Sequence, residues 1–289
     1  MTTTTFAARL SARIKRFGPL CVGIDPSREL LANCGLPDTA EGVFAFGERV
    51  MRSVNFEIAA VKPQLAYFER YGSAGIAALE ELGALARQHE IVWIADAKRG
   101  DIDSTAAAYG EAYFMPTSPL RCDALTLTGY LGFGALTKLL DIAIKYDAGV
   151  FLVVRSSNPE GEALQLARRA DGRTVAEEFC DEITAWNRIA TGPHVAHGDA
   201  ATPVALGPIG AVVGATCDDA ATTIARMPGA FILAPGIGAQ GATFADLRRR
   251  MPGEQHRVLP NVSRAIVAGG TGEAAIGATI RALRTAASL

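Results

Sequence analysis

The chain has 289 residues, 49% of them hydrophobic, with 28 basic against 30 acidic side chains and a formal net charge of −2. That is enough apolar material for a large core, at a length normal for an α/β barrel. The balance of charge excludes the global basic field of a nucleic-acid binder, and no stretch approaches the roughly 20 apolar residues of a membrane helix.

Residues 1–17 are rich in Thr and then basic, without an acidic side chain, a composition that transit peptides share. Phe6, Leu10 and Ile14 recur at helical spacing, and the favoured reading is an amphipathic helix that closes the bottom of a barrel. Eight short apolar runs follow: Leu20–Ile24, Ile58–Lys62, Ile91–Ala95, Ala124–Thr128, Val150–Val154, Ile209–Gly214, Ala230–Ala234 and Val258–Val262. Helical patterns such as Gly75–Gln88 and Thr243–Met251 lie between them. Near-continuous apolar strands that alternate with helices are the pattern of a parallel sheet buried on both faces. Eight of them predict a TIM (β/α)8 barrel spanning 1–289 as one domain. A doubly wound open sheet competes, but it tends to carry its nucleotide signature at the first strand, where this chain has none.

Residues 158–208 are too many for one crossover, and Thr191–Pro203 is small, polar and rich in Pro and Gly. The stretch reads as an inserted loop over one mouth of the barrel rather than a second domain. The five cysteines, Cys21, Cys34, Cys122, Cys180 and Cys217, include no CxxC pair, which disfavours a disulfide framework or zinc site and fits a reducing cytoplasm.

Barrel active sites are built at strand C-termini, and here those ends are charged: Asp25, Lys62, Asp96, Lys98 and Arg264. The chain has only five lysines, Lys15, Lys62, Lys98, Lys138 and Lys145, and two of them end apolar strands. An ammonium, unlike a guanidinium, gives up a proton readily. Val92, Ile94, Asp96 and Lys98 alternate onto one strand face, so Asp96 and Lys98 point together into the mouth, whereas Trp93 packs outward. A structural ion pair would explain one Asp–Lys couple. It explains less well the further Lys62 and Asp101.

The stretch 94–102 (IADAKRGDI) resembles the DxKxxD-I/V signature of orotidine 5′-phosphate decarboxylases, and the resemblance runs along most of the chain. It implies that Lys98, Asp96, Lys62 and Asp101 form the catalytic network. It also implies that Asp25 and Lys62 hold the ribose hydroxyls, and that Asp101, Ile102 and Thr105 enter a partner subunit's site across a homodimer. Residues 235–241 (PGIGAQG) are similar to the family's phosphate loop, with Pro235, Gly236, Gly238 and Gln240 as contacts and Ser263 and Arg264 as the clamp. The RSSN stretch, Arg155–Asn158, resembles the longer bacterial branch, with Ser156 and Ser157 as candidates for the pyrimidine edge. Residues 126–130 match no base-binding pattern. The resemblance implies a lyase that uses no cofactor and no metal, with orotidine 5′-phosphate as its small-molecule ligand and no nucleic-acid or membrane partner.

Residues 236–241 also satisfy GxGxxG, but a dinucleotide site wants a carboxylate ending the next strand, and that strand ends at Arg264. A backbone cradle for one phosphate at a helix N-terminus fits better. His194 and His197 form an HxxH in a loop without a carboxylate at helical spacing, a poor metal site, and His89 and His256 read as surface residues. Three enzyme readings and one non-enzymatic reading remain open on the residues alone. They are the decarboxylase, a related Asp-x-Lys barrel acting on a sugar phosphate with Mg²⁺, a Schiff-base aldolase using Lys98, and a barrel that only binds a sugar phosphate. The Mg²⁺ enzyme would need a further carboxylate at a strand end, and only Glu57 and Glu69 are nearby.

Overall fold

The computed structural model describes residues 4–192, 204–238 and 241–288. Eight parallel strands close a barrel in the order β1 to β8: Cys21–Ile24, Ala60–Pro63, Val92–Arg99, Ala124–Leu127, Gly149–Arg155, Ile209–Val213, Ile232–Ala234 and Val258–Val262. Closure is made where Cys21 and Val22 of β1 pair with Asn261 and Val262 of β8. Each strand was legible as an apolar run, because a parallel strand sheathed by helices is buried on both faces.

Helix α1 (Phe6–Phe17) precedes β1, and α2 (Arg28–Asn33) and α3 (Ala40–Arg52) follow it. After β2 come α4 (Ala66–Glu69) and α5 (Gly72–Gln88), after β3 α6 (Asp103–Phe114), and after β4 α7 (Thr137–Lys145). β5 leads into α8 (Glu162–Gln165) and α9 (Val175–Thr191). The last three are α10 (Ala220–Ala225), α11 (Phe244–Arg250) and α12 (Glu273–Ser288).

The core has two parts. Outside the strands, helices pack on residues such as Trp93, which is 2% exposed. Inside, Val92, Ile94, Phe151, Phe231 and Leu259 fill the lower barrel, and α1 closes it with Phe6, Leu10 and Ile14. The Phe6 ring stands edge-on to Phe151 and Phe231, with centroids 6.3 and 6.0 Å away. The approach leaves no room at Gly149, where an added Cβ would lie 2.3 Å from that ring. The amphipathic reading of the N-terminus therefore holds for Phe6–Phe17, and its buried face supplies the barrel floor.

Residues 158–208 need a correction at their centre. Val175–Thr191 is a 17-residue helix, the ordinary crossover from β5 to β6. Its start is fixed by a capping box in which Thr174 and Glu177 satisfy each other's backbone N–H. Phe179, Cys180, Ile183 and Asn187 form its buried stripe. The extra chain therefore divides into two. One part follows β5 at the strand C-terminal end and contains a 3-10 turn (Pro159–Gly161) and α8. The other joins α9 to β6, where Asn187 bonds the backbone of Ile209 at the start of that strand, and residues 193–203, including His194 and His197, lie outside the described residues.

Candidate active site

The strand C-termini surround a cavity of about 610 Å³. Its floor is the apolar plug continued upward by Val153, Val212 and Leu233, and its walls are polar. Ten of the residues expected from sequence line it: Asp25, Lys62, Asp96, Lys98, Ser156, Ser157, Pro235, Gly236, Ser263 and Arg264.

Asp96 is the hub. Its Oδ2 accepts from Lys62 Nζ at 2.5 Å and Gln64 Nε2 at 3.2 Å, and its Oδ1 from Lys98 Nζ at 2.5 Å and Thr126 Oγ1 at 3.0 Å. Four donors saturate a carboxylate that is only 6% exposed. Burial by itself would raise the Asp96 carboxyl, but the Lys62 and Lys98 ammonium groups outweigh it and hold the group well below the usual carboxylate range. Burial likewise opposes charge on Lys62, yet Asp96 and then Asp25 lift it above the ordinary lysine value. The two groups stabilise each other's ionised form. Lys98, by contrast, keeps 46% of its side chain exposed at the mouth.

Asp25 presents a buried Oδ1 with no hydrogen-bond partner among the described residues. A buried acceptor of this kind calls for a donor such as a ligand hydroxyl. On the opposite wall, Gly236 and Gly238 adopt φ of +107° and +77°, backbone that only glycine enters freely. Arg264 is exposed beside them and has no carboxylate partner among the described residues. Gln240 lies outside the described residues.

The glycine-rich turn leads into α11, the helix expected to seat the phosphate. α11 begins with its own capping box, in which the Asp246 carboxylate already accepts from Thr243 N at 2.9 Å and Oγ1 at 2.7 Å. Within the glycine-rich turn, the Gly238 N–H donates to the Ala242 carbonyl at 2.8 Å and the Ala242 N–H to the Gly236 carbonyl at 3.2 Å.

Asp101, Ile102 and Thr105 are outside this cavity. The Asp101 carboxylate accepts from the Ile102 backbone N–H at 2.8 Å, and Thr105 is exposed on the first turn of α6. Glu69 turns away to pair with Arg99. Among the described residues, no group of three or more His, Cys, Asp or Glu is arranged to hold a metal ion.

Sequence reasoning missed Gln64, Thr126 and Asn261. Gln64 follows Lys62 by two residues, so alternation along β2 could have found it. Thr126 and Asn261 join the site from other strands, and only the barrel's register brings them to the level of Asp96. Two residues on α2 or its cap, Ser27 and Glu29, also line the rim.

A closed barrel with a buried Asp–Lys network at the C-terminal mouth defines a (β/α)8-barrel enzyme. The comparisons narrow this class. Residues 18–278 match the model of the orotidine 5′-phosphate decarboxylase / HUMPS family. An orotidine 5′-phosphate decarboxylase of Myxococcus xanthus is 46% identical, with 95% of this chain and 92% of the relative covered. One of Streptomyces coelicolor is 43% identical over 98% of this chain and 94% of its own length. A crystal structure of a Streptomyces avermitilis protein assigned as an orotidine 5′-phosphate decarboxylase superposes with a TM-score of 0.89 at 41% identity, covering 99% of this chain and 96% of that one. The chain belongs to the orotidine 5′-phosphate decarboxylase / HUMPS family.

Proposed function

We propose that this chain is a carboxy-lyase that converts orotidine 5′-phosphate to UMP and CO₂, the last step of de novo pyrimidine nucleotide synthesis. The observation that carries the reading is the Lys62–Asp96–Lys98 network at the cavity wall. Family membership and full-length relatives of that name support it.

Loss of CO₂ breaks the bond to C6 and leaves the electron pair in an sp² orbital that the pyrimidine π system does not delocalise. The site must therefore meet that charge with fixed electrostatics. Lys98 faces the developing carbanion and transfers its proton to C6; solvent later restores the ammonium. Asp96 stands beside the departing carboxylate, and Lys62 holds it ionised and in place. Asp25, with its unpartnered oxygen, and Lys62 take the ribose hydroxyls. Pro235, Gly236, Gly238, Gln240, Ser263 and Arg264 take the phosphate, whose binding energy is then available at the reacting carbon.

Of the two serines, Ser157 reads the pyrimidine edge. Ser156 belongs to the scaffold: its hydroxyl accepts from Gln165 Nε2 at 2.8 Å, and its N–H donates to Gln165 Oε1 at 3.0 Å. Gln165 Oε1 in turn accepts from the buried Arg155 at 3.1 Å.

The protein acts as a homodimer in which Asp101, Ile102 and Thr105 complete the partner's site. In support, Ile102, Tyr130 and Leu131 are 52%, 79% and 57% exposed on the adjacent loops after β3 and β4. A patch of this kind is what an interface covers. Five free, buried cysteines support a reducing, cytoplasmic location. The chain is one catalytic domain, and the residues after β5 are an elaboration of its mouth.

The test is UMP formation, followed by the fall in orotidylate absorbance, with protein dialysed against EDTA. Undiminished turnover is expected. No turnover overturns the reading, and turnover that only Mg²⁺ restores moves the chain to the metal-assisted sugar-phosphate enzymes.

A further inference from the structure

β3 does not run straight through the site. Ala95 pairs with Leu125 and Arg99 with Leu127, so four steps along β3 are matched by two along β4. Two extra residues are taken up in a bulge opposite Thr126, and within it Lys98 adopts φ of +46°. A lysine in the left-handed region is strained, and it stays there only if its surroundings hold it.

The bulge also decides where the ammonium goes. In a regular strand each residue advances about 3.3 Å, and the Lys98 backbone would ride two residues above Asp96, toward solvent. In the bulge it stays near the level of Asp96, and Nζ returns to Oδ1 at 2.5 Å.

One side chain answers both ends of this arrangement. Thr126 Oγ1 accepts the backbone N–H of Lys98 at 2.9 Å, a donor that the bulge has taken out of the ladder. The same hydroxyl donates to Asp96 Oδ1 at 3.0 Å, the oxygen that holds Lys98 Nζ. A closed ring therefore links the Lys98 amide, the Thr126 hydroxyl, the Asp96 carboxylate and the Lys98 ammonium. Thr126 is 1% exposed, and as a β-branched residue on β4, paired with β3 and β5, it has little freedom.

We infer that Thr126 is a positioning residue for proton transfer: its hydroxyl locks the β3 bulge and so sets the Lys98 ammonium against Asp96. It does not touch the reacting carbon and acts only through Lys98. The inference rests on Lys98 as the acid. Glycine at position 100 serves the same bend, since an added Cβ would lie 2.5 Å from the Thr128 carbonyl oxygen.

The test compares Thr126→Val, Thr126→Ala and Thr126→Ser in kcat, UMP affinity and thermal unfolding. Val keeps the shape without the hydroxyl, Ala removes the hydroxyl without filling the space if Val disturbs folding, and Ser keeps the hydroxyl. Val or Ala lowers kcat about a hundredfold, the scale of an ångström-sized misplacement of a reacting group. UMP affinity stays near wild type, and Ser recovers most of the loss. Wild-type kcat in Val or Ala overturns the inference, as does equal loss in Ser and Val. A loss seated in UMP affinity also overturns it, because that marks a ligand contact. If Thr126→Val is fully active while Lys98→Ala is dead, only this inference fails. If Lys98→Ala is active, the reading of the acid fails with it.

Discussion

The Lys62 ammonium and the Asp96 carboxylate meet at 2.5 Å with side chains only 5% and 8% exposed. A pair this deep is worth little as a net gain over an apolar replacement, but removing one partner strands the other charge. Asp96→Asn should therefore destabilise the barrel by about 3–5 kcal/mol at neutral pH.

The pH dependence follows from the same pair. Asp96 is held below its unfolded value, so its contribution is complete above about pH 4 and is lost as pH falls through the folded value. Lys62 is held above its unfolded value, so its contribution is complete below about pH 10 and is lost as pH rises through the folded value. Between those limits this pair leaves the wild-type stability flat. In Asp96→Asn, burial acts on Lys62 with its strongest counter-charge gone, and stability should rise with pH across that window. Urea unfolding at pH 5, 7 and 9 measures both curves; a flat profile for the variant at wild-type stability refutes the account.

In the proposed mechanism, Lys98→Ala removes the proton donor and leaves the residues assigned to the phosphate untouched. Decarboxylation should fall by about 10²–10⁴-fold, the range of a lost general acid, while UMP still binds. A variant that keeps a tenth of wild-type kcat would show that Lys98 is not the acid.

Arg264 is exposed at the mouth and has no ion-pair partner among the described residues, so its loss should cost little structure. Arg264→Ala should lower kcat/KM for orotidine 5′-phosphate by the equivalent of about 1.5–3 kcal/mol, the value of a charge-assisted hydrogen bond. Orotidine without its phosphate should be a very poor substrate for wild type and should barely respond to the substitution. Equal proportional losses on both substrates would remove Arg264 from the phosphate site.

The proposed sharing of sites across a dimer is open to a subunit-exchange experiment. Lys98→Ala and Asp101→Ala proteins are each expected to be inactive. A mixed dimer then carries one site with both defects and one with neither. Random exchange makes about half the dimers mixed, so about a quarter of wild-type activity should return. If Asp101 serves its own chain, every site lacks one group and nothing returns. Mass-tagged chains establish that exchange took place.

The site was partly legible in the sequence, and the pattern of what was missed has a cause. Asp25, Lys62, Asp96 and Lys98 stand out because each ends an apolar run, a feature confined to one strand. The excess of residues at 158–208 hid α9, although the Thr174 and Glu177 capping box marks its start and Phe179, Cys180 and Ile183 mark its buried stripe. The glycine-rich turn was readable from its spacing, but the bonds between Thr243 and Asp246 that cap α11 showed only once that helix had a defined first turn.

The sequence by itself determined the eight strands, the helix that plugs the barrel floor and the charged strand ends. These depend on local periodicity and on the burial of β-branched runs, which short stretches encode. The tertiary structure alone decided that Lys62 and Gln64, from β2 and its end, and Thr126, from β4, converge on one carboxylate of β3. It also decided that Lys98 reaches that carboxylate through a bulge and a positive φ rather than through plain alternation. Register between strands 30 residues apart is set when the barrel closes, as apolar layers interlock and hydrogen bonds find partners across the sheet. No short stretch of chain carries that information, so the depth of Asp96 and the aim of Lys98 exist only in the closed barrel.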